Sequence, residues 1–288
     1  MKILSAHTLR HGLFGLALLA GFAVSDAAGA AEEPSIEPQN WTFSGLTGYY
    51  DNEQLRRGYM VYKTVCAACH GMRLLYYRNL SEPGGPEFAP SRVEQFAAEA
   101  QVTDGPNDDG EMFTRAAKPA DHFASPFPNE KAAAAANNGS VPPDLSLMAK
   151  ARGIHRAGPW YLEPFNWVSD VVTAYQEQGP DYIHAVLTSY SDPPAGVTVA
   201  PGMNYNAAFP GHQIAMPQPL VEGSVTYDDG TPGTVENYSR DVAAFLMWTA
   251  EPTLEERKRM GLKVMIYLII LSALLYLSKR ALWRKVEH

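Results

Sequence analysis

At 288 residues, 46% hydrophobic and 19% charged, the chain has the composition of a folded protein with room for one large domain or two modest ones. Its formal net charge of −8 is unevenly spread, because residues 31–256 hold 13 basic against 29 acidic side chains. A body that acidic excludes nucleic acid and anionic lipid as partners and favours a cationic one, drawn by an attraction that salt screens.

The first residues, MKILSAHTLRHGLFGLALLAGFAVSDAAGAA, place Lys2 and Arg10 before an apolar run from Leu13 to Val24. Ala28-Gly29-Ala30 then offers a small-x-small cleavage site, so residues 1–31 predict a cleaved signal peptide and residues 32–256 a domain folded outside the cytoplasm. In DNEQLRRGYMVYKTVC (51–66), Leu55, Tyr59, Tyr62 and Val65 recur at near-helical spacing, predicting a helix that delivers the cysteines at its end. Gly58 within it permits close approach of a second helix. Ser91-Arg92-Val93-Glu94 reads as a capping box opening a short helix with Val93, Phe96 and Ala97 inward. Residues 101–140, rich in Gly, Pro, Asp, Asn and Ala, predict a long surface excursion.

GPDYIHAVLTSY (179–190) predicts another helix, and SVTYDDGTPGTV (224–235) a β-hairpin turning at Asp229-Gly230. SRDVAAFLMWTAEP (239–252) predicts a helix with Val242, Phe245, Leu246 and Thr249 on one face. Pro252 ends it, and Thr253-Leu254-Glu255-Glu256 recaps a helix running into GLKVMIYLIILSALLYLS (261–278). Eighteen helical residues measure about 27 Å, enough to cross a hydrocarbon core if Lys263 and Lys279 snorkel. Residues 257–288 therefore predict a single membrane anchor, about 261–278, and a short cytoplasmic tail. Basic flanks balance across it, so the signal peptide sets the orientation, with the bulk domain in the periplasm.

Both cysteines of the chain stand in Cys66-Ala67-Ala68-Cys69-His70. A thiol–disulfide enzyme carries such a pair at the start of a helix after a strand, whereas here it closes a helix. A structural zinc site needs four protein ligands, and no third cysteine exists. Cys-x-x-Cys-His is the c-type haem attachment pattern, so Cys66 and Cys69 predict covalent attachment of one haem c and His70 an axial iron ligand. The second ring nitrogen of His70 then needs an acceptor, which the turn NNGSVPPDLS (137–146), stiffened by Pro142 and Pro143, could offer as a backbone carbonyl. For the sixth ligand Met112, Met203 and Met216 stay open. Met216, in the stiff loop PGHQIAMPQPL, leads, and Met203 in APGMNYN follows. His155, His184 and His212 read as surface or packing residues. Arg152, one of few arginines in the acidic domain, is a candidate partner for a haem propionate.

Together these segments resemble the cytochrome c1 family in its alphaproteobacterial form. The likeness is carried by WTFSGLTGYYDNEQLRRGYMVYKTVCAACHGMRLLYYRNL, AAAANNGSVPPDLS, FPGHQIAMPQPL and YDDGTPGTVENYSRDVAAFLMWTAEPTLEERKRMGLKV, across most of residues 40–265. The resemblance implies a mainly α, class I cytochrome c-like haem domain with long loops, in which the 239–252 helix crosses the 51–65 helix. It implies Met216 as sixth ligand, and Arg152 and Tyr182 as propionate contacts. It implies an electron-transfer subunit of ubiquinol–cytochrome c reductase in a bacterial inner membrane, inactive alone. Such a subunit takes an electron from a Rieske iron–sulfur subunit and passes it to a soluble or membrane-tethered cytochrome c, beside cytochrome b in a dimeric complex. Some bacterial members carry an extra disulfide, which a chain with both cysteines committed to haem cannot form. The rivals are a tethered cytochrome serving an oxidase or dehydrogenase, a haem peroxidase with an open iron position, and a thiol–disulfide oxidoreductase.

Overall fold

The computed structural model describes residues 36–152, 159–172 and 178–284. The expected signal peptide, His155 and the last four residues of the tail lie outside the described residues. Eight helices occur among them: α1 Asn52–Thr64, α2 Pro90–Ala98, α3 Glu130–Ala136, α4 Met148–Ala151, α5 Glu163–Val172, α6 Gly179–Thr188, α7 Val235–Ala250 and α8 Leu254–Trp283. Two small antiparallel sheets accompany them: β1 Gln101–Asp104 pairs with β2 Phe113–Ala116, and β3 Asn204–Tyr205 with β4 Gln213–Ile214.

The core is built where α1 crosses α7, as the resemblance implies. Asp51 caps α1, its carboxylate accepting from the backbone N–H of Glu53 at 3.0 Å and of Gln54 at 3.4 Å. Gly58 sits at the crossing: a Cβ there would lie 2.1 Å from the Asp241 carbonyl oxygen and 2.6 Å from Phe245 Cβ. The backbones therefore touch, and Tyr59 and Tyr62 close over Phe245 with ring centroids 5.8 and 6.0 Å away. Beside the crossing, the Arg57 guanidinium reaches Asp241 at 2.8 Å and Asp229 at 2.9 Å, so the α1–α7 contact carries a nearly buried ion pair along its edge.

α7 starts four residues earlier than expected, capped by Thr234, whose hydroxyl accepts from Asn237 N at 3.2 Å. Its expected face is buried, but so are Ala243, Ala244, Met247 and Trp248, because α1, α4 and α6 surround it. α6 is held by a buried polar contact: the Ser239 hydroxyl donates to Glu236 O and so accepts from His184 Nδ1 at 2.9 Å. His184 is thus a packing residue, as expected.

Several local expectations are corrected. The 224–235 segment forms turns, not a hairpin. The hydroxyl of Tyr238 takes both the N–H and the carbonyl of Val225, and Asp229 turns its carboxylate onto Thr231 N, so side chains occupy the groups a strand ladder would need. The 101–140 excursion contains the β1–β2 hairpin and the short helix α3. α2 opens with Pro90 in its first turn and no side-chain cap, one residue ahead of the expected box, although Val93, Phe96 and Ala97 are inward. Thr253 likewise makes no side-chain cap to α8; the Glu255 carboxylate instead accepts from Tyr50 N at 2.7 Å.

Two carboxylates give the domain an acid limit. Asp121 is held by Arg115 and by Lys118 N, and Asp229 by Thr231 and Arg57; each is pulled down to about 2. In the unfolded chain both return to about 3.9. Their stabilisation is therefore present above pH ~4 and lost as pH falls towards 2. Thermal midpoints recorded between pH 5 and pH 2 should drop below pH ~4, and the pair of substitutions Asp121→Asn and Asp229→Asn should flatten that slope.

Candidate haem-attachment site

Helix α1 runs out at Val65 into a 3-10 turn over Cys66–Ala68, so the helix axis aims both cysteines and the histidine at one spot. The turn is closed by Cys66 O, which accepts from Cys69 N at 3.1 Å and from His70 N at 2.9 Å. Cys66 packs half-buried against the main core, Cys69 is exposed, and burial together with the neighbouring Cys69 pushes the Cys66 thiol up to about 12. The Tyr62 hydroxyl reaches back from α1 to His70 O at 3.2 Å.

His70 is oriented by a second segment. Its Nδ1 lies 2.8 Å from Pro143 O, and since a carbonyl only accepts, Nδ1 carries the proton and Nε2 the lone pair. This is the carbonyl partner expected from the 137–146 turn. Burial holds the imidazole below its ordinary pKa against the opposing pull of the Pro143 bond and the Asp144 charge, so it stands neutral, as a metal ligand must.

The Pro143 segment is itself stitched in place by residues that sequence reasoning passed over. Asp144 accepts from Arg73 N at 2.8 Å through one oxygen and from Ser146 N at 2.9 Å through the other. Ser146 Oγ accepts from Leu74 N at 3.1 Å, and Leu145 N donates to Gly71 O at 2.9 Å. The signal for this clamp was the Asx and Ser residues directly after a double proline, which favour side-chain to backbone bonds. Asp144→Ala should leave two amides without partners and cost about 1–3 kcal/mol, read as a lowered urea midpoint. The same variant should loosen His70, read as broadening of its ring resonances.

Met216 follows β4. Its carbonyl accepts from the Tyr190 hydroxyl at 3.1 Å and from Asn204 Nδ2 at 3.3 Å, and Pro217 stiffens the next residue. Its side chain, half-buried, borders both the main core and a smaller apolar cluster around Val186, Ala208 and Ile214, which Tyr182 also joins. The alternatives fare less well: Met112 is exposed near the β1–β2 turn, and Met203 borders neither cluster. Arg152, at the exposed end of α4, lies close enough to Tyr182 for its charge to oppose the rise that burial gives the phenol. The structure thus brings Cys66, Cys69 and His70 onto one turn and sets Tyr182 beside Met216, with Arg152 near Tyr182. His212 bonds Ala207 O through Nδ1 at 3.0 Å, in keeping with the surface or packing role expected of it.

The residue set fits a c-type haem on its chemistry. One imidazole presents a lone pair beside two thiols, and half-buried apolar side chains, Cys66, Ala67, Met148 and Met216, border the core without being enclosed by it. Leu74, Val141 and Leu147, on the strands of chain clamped around His70, are left exposed, as an apolar ring would require. No group of three His, Cys, Asp or Glu able to hold a bare metal ion occurs among the described residues.

The family model of the Cytochrome C1 family matches residues 41–286. The chain belongs to that family. Proteins named cytochrome c1 from Blastochloris viridis and Rhodospirillum rubrum are 46% and 42% identical to it, each over 94% of this chain and over 95% and 97% of their own lengths. A protein named cytochrome b/c1 from Bradyrhizobium diazoefficiens is 52% identical over 88% of this chain, which spans only 36% of that longer protein. A Solanum tuberosum relative, 43% identical, is named a mitochondrial heme protein. Cytochrome c1 proteins bind haem c, and the donor set at Cys66–His70 is chemically suited to that group. The anchor expectation also has its structural counterpart: in this cytochrome c1 family member α8 is long and apolar enough to cross a membrane, with no part of its apolar stretch buried in the protein.

Proposed function

We propose that this chain is the haem-bearing electron-transfer subunit of a quinol–cytochrome c reductase. Cys66 and Cys69 would hold a single haem c through thioethers, His70 and Met216 would ligate its iron, and Arg152 and Tyr182 would meet its propionates. When bound, the haem supplies a one-electron ferric–ferrous couple. The observation that carries the reading is the His70 Nδ1–Pro143 O bond of 2.8 Å, which leaves the lone pair on Nε2 of the residue that directly follows the second cysteine.

The chain's own residues define how such a site works. Helix α1 and the Asp144 clamp hold His70 still, so little reorganises when charge changes. Tyr190 and Asn204 hold the Met216 backbone, keeping a thioether sulfur in place without a covalent tether. A thioether and an imidazole as the two ligands, in an apolar setting, would favour the reduced state and raise the potential. Two protein ligands close the iron to oxygen or peroxide, so the chain alone turns over no substrate.

The electron comes from a Rieske iron–sulfur subunit and goes to a soluble or membrane-tethered cytochrome c, with cytochrome b as the other membrane partner in a dimeric complex. Residues 1–31 serve as a cleaved signal peptide, residues 32–256 form the periplasmic haem domain, and α8 anchors it in the inner membrane with its tail in the cytoplasm. The resemblance of the segments quoted above and the family membership support this assignment. The test follows the c-haem absorption band in membranes on adding quinol, with and without an inhibitor of quinol oxidation. Rapid reduction that the inhibitor blocks is expected. Reduction indifferent to the inhibitor would leave a tethered cytochrome serving another chain.

A further inference from the structure

Between α4 and α6 the described residues 159–172 take no part in the Cys66–His70 turn or in the α1–α7 core. They begin with a 3-10 turn over Trp160–Leu162 and continue into α5, whose principal packing partner is that turn. Six large apolar side chains here, Trp160, Tyr161, Leu162, Phe165, Trp167 and Val168, are exposed, Trp160 by 82%, Phe165 by 71% and Trp167 by 67%. Single exposed apolar residues need no explanation, but six within nine positions do. Two of the chain's five tryptophans are among them.

The root of this segment lies beside the root of α8. Gly179, where the chain returns, packs so closely on α4 that a Cβ would fall 1.6 Å from Ala149 O. The neighbouring Lys150 pairs with Glu251, and Glu251 pairs with Arg257 in the first turns of α8. Arg257 precedes the apolar stretch by only four residues, about 6 Å of helix.

We propose that the 160–168 segment lies in the headgroup–acyl boundary of the same membrane that α8 enters, as a second, monotopic foothold for the domain. Trp, Tyr and Phe are the side chains that settle at that boundary, and a short helix lying in its plane presents them to it. Charge points to the same kind of surface. Residues 159–169 hold no Lys or Arg and one acid, Glu163, so insertion rests on apolar and aromatic side chains, not on attraction to anionic headgroups. That agrees with an acidic domain that anionic lipid repels. The inference rests on α8 being the anchor.

The test uses the haem-loaded complex in its own membrane, reconstituted with a photoactivatable phosphatidylcholine whose reactive group sits near the headgroup. After illumination, peptides are read by mass spectrometry. Lipid adducts are expected both on α8 and on residues 160–168. The variant W160S/F165S/W167S should lose the 160–168 adducts by about fivefold or more while keeping those on α8. Adducts on α8 with none on 160–168 of the wild-type chain would overturn the proposal and leave the anchor intact. Absence of adducts on α8 itself would sink the anchor reading, and the foothold with it. Should the triple variant fail to accumulate, Phe165→Ser alone supplies the comparison.

Discussion

Replacing Met216 by histidine should lower the haem midpoint potential by a few hundred millivolts, a large part of the roughly 0.8 V range that axial ligands command. The thioether sulfur is a weak donor that stabilises the ferrous state, whereas imidazole donates more strongly and stabilises ferric iron. Redox titration of the variant in membranes, followed at the c-haem band, measures the shift. Two features localise the effect at residue 216. Its carbonyl is gripped by Tyr190 and Asn204, so the substitution changes the donor atom while the loop stays put. Met203 borders neither apolar cluster, so Met203→Leu should leave the potential within a few tens of millivolts of the starting value. A Met216→His variant with an unchanged potential, or a Met203→Leu variant with a collapsed one, would reassign the sixth ligand.

Gly58→Val should be severely damaging to the core. A Cβ alone overlaps the Asp241 carbonyl at 2.1 Å, and that contact is with backbone, which cannot swing aside. α1 and α7 would have to separate, opening the packing of Tyr59, Tyr62 and Phe245 and straining the Arg57–Asp241 pair on the same edge. We expect a loss of about 3 kcal/mol or more, at the upper end of overpacking costs. For a domain of this size it corresponds to a thermal midpoint about 6–12 °C lower. Because α1 also aims Cys66, Cys69 and His70, the fraction of chain carrying covalent haem should fall with it. Calorimetry of the holoprotein measures the first effect, and a haem-stained gel against total chain the second. A midpoint within about 2 °C of wild type would show that the crossing has slack that its geometry does not display.

What the sequence disclosed depended on how local the determining contact was. The turn that gathers Cys66, Cys69 and His70 at the end of α1 was legible because its information is contained in five residues and the helical period ahead of them. The Pro143 acceptor was legible because a double proline rigidifies a carbonyl wherever it lies, and the structure places that carbonyl at His70 Nδ1. The 224–235 segment looked like a hairpin because Asp229-Gly230 is a turn signal. The deciding contact, however, comes from Tyr238, outside the segment and on the next helix. The all-round burial of α7 was hidden for the same reason: a period identifies one apolar face, while the other faces are covered by α4 and α6, whose placement is a tertiary matter. α5 gave little warning because its polar neighbours and Pro164 dilute a short aromatic run. Asp144 and Ser146 looked like ordinary turn residues until their partners, the amides of Arg73 and Leu74 just after His70, were seen.

The way α7 passes into α8 governs how the domain stands on its anchor. Tyr50 donates its backbone N–H to Glu255 and its hydroxyl to the carbonyl of Glu251 at 3.0 Å, while Glu251 is gripped by Lys150 from one side and Arg257 from the other. Tyr50 through Glu255 and the end of α7 through Glu251 and Arg257 are thereby fastened to the first turn of α8, with Lys150 joined through Glu251, across the very joint where Pro252 would otherwise leave a hinge. For an α8 set in a bilayer, the mast and the lantern turn together: the Cys66–His70 turn keeps its height over the membrane and its bearing relative to α8. Whatever exchanges electrons there has to do the travelling, arriving, departing and reorienting against a stationary terminal.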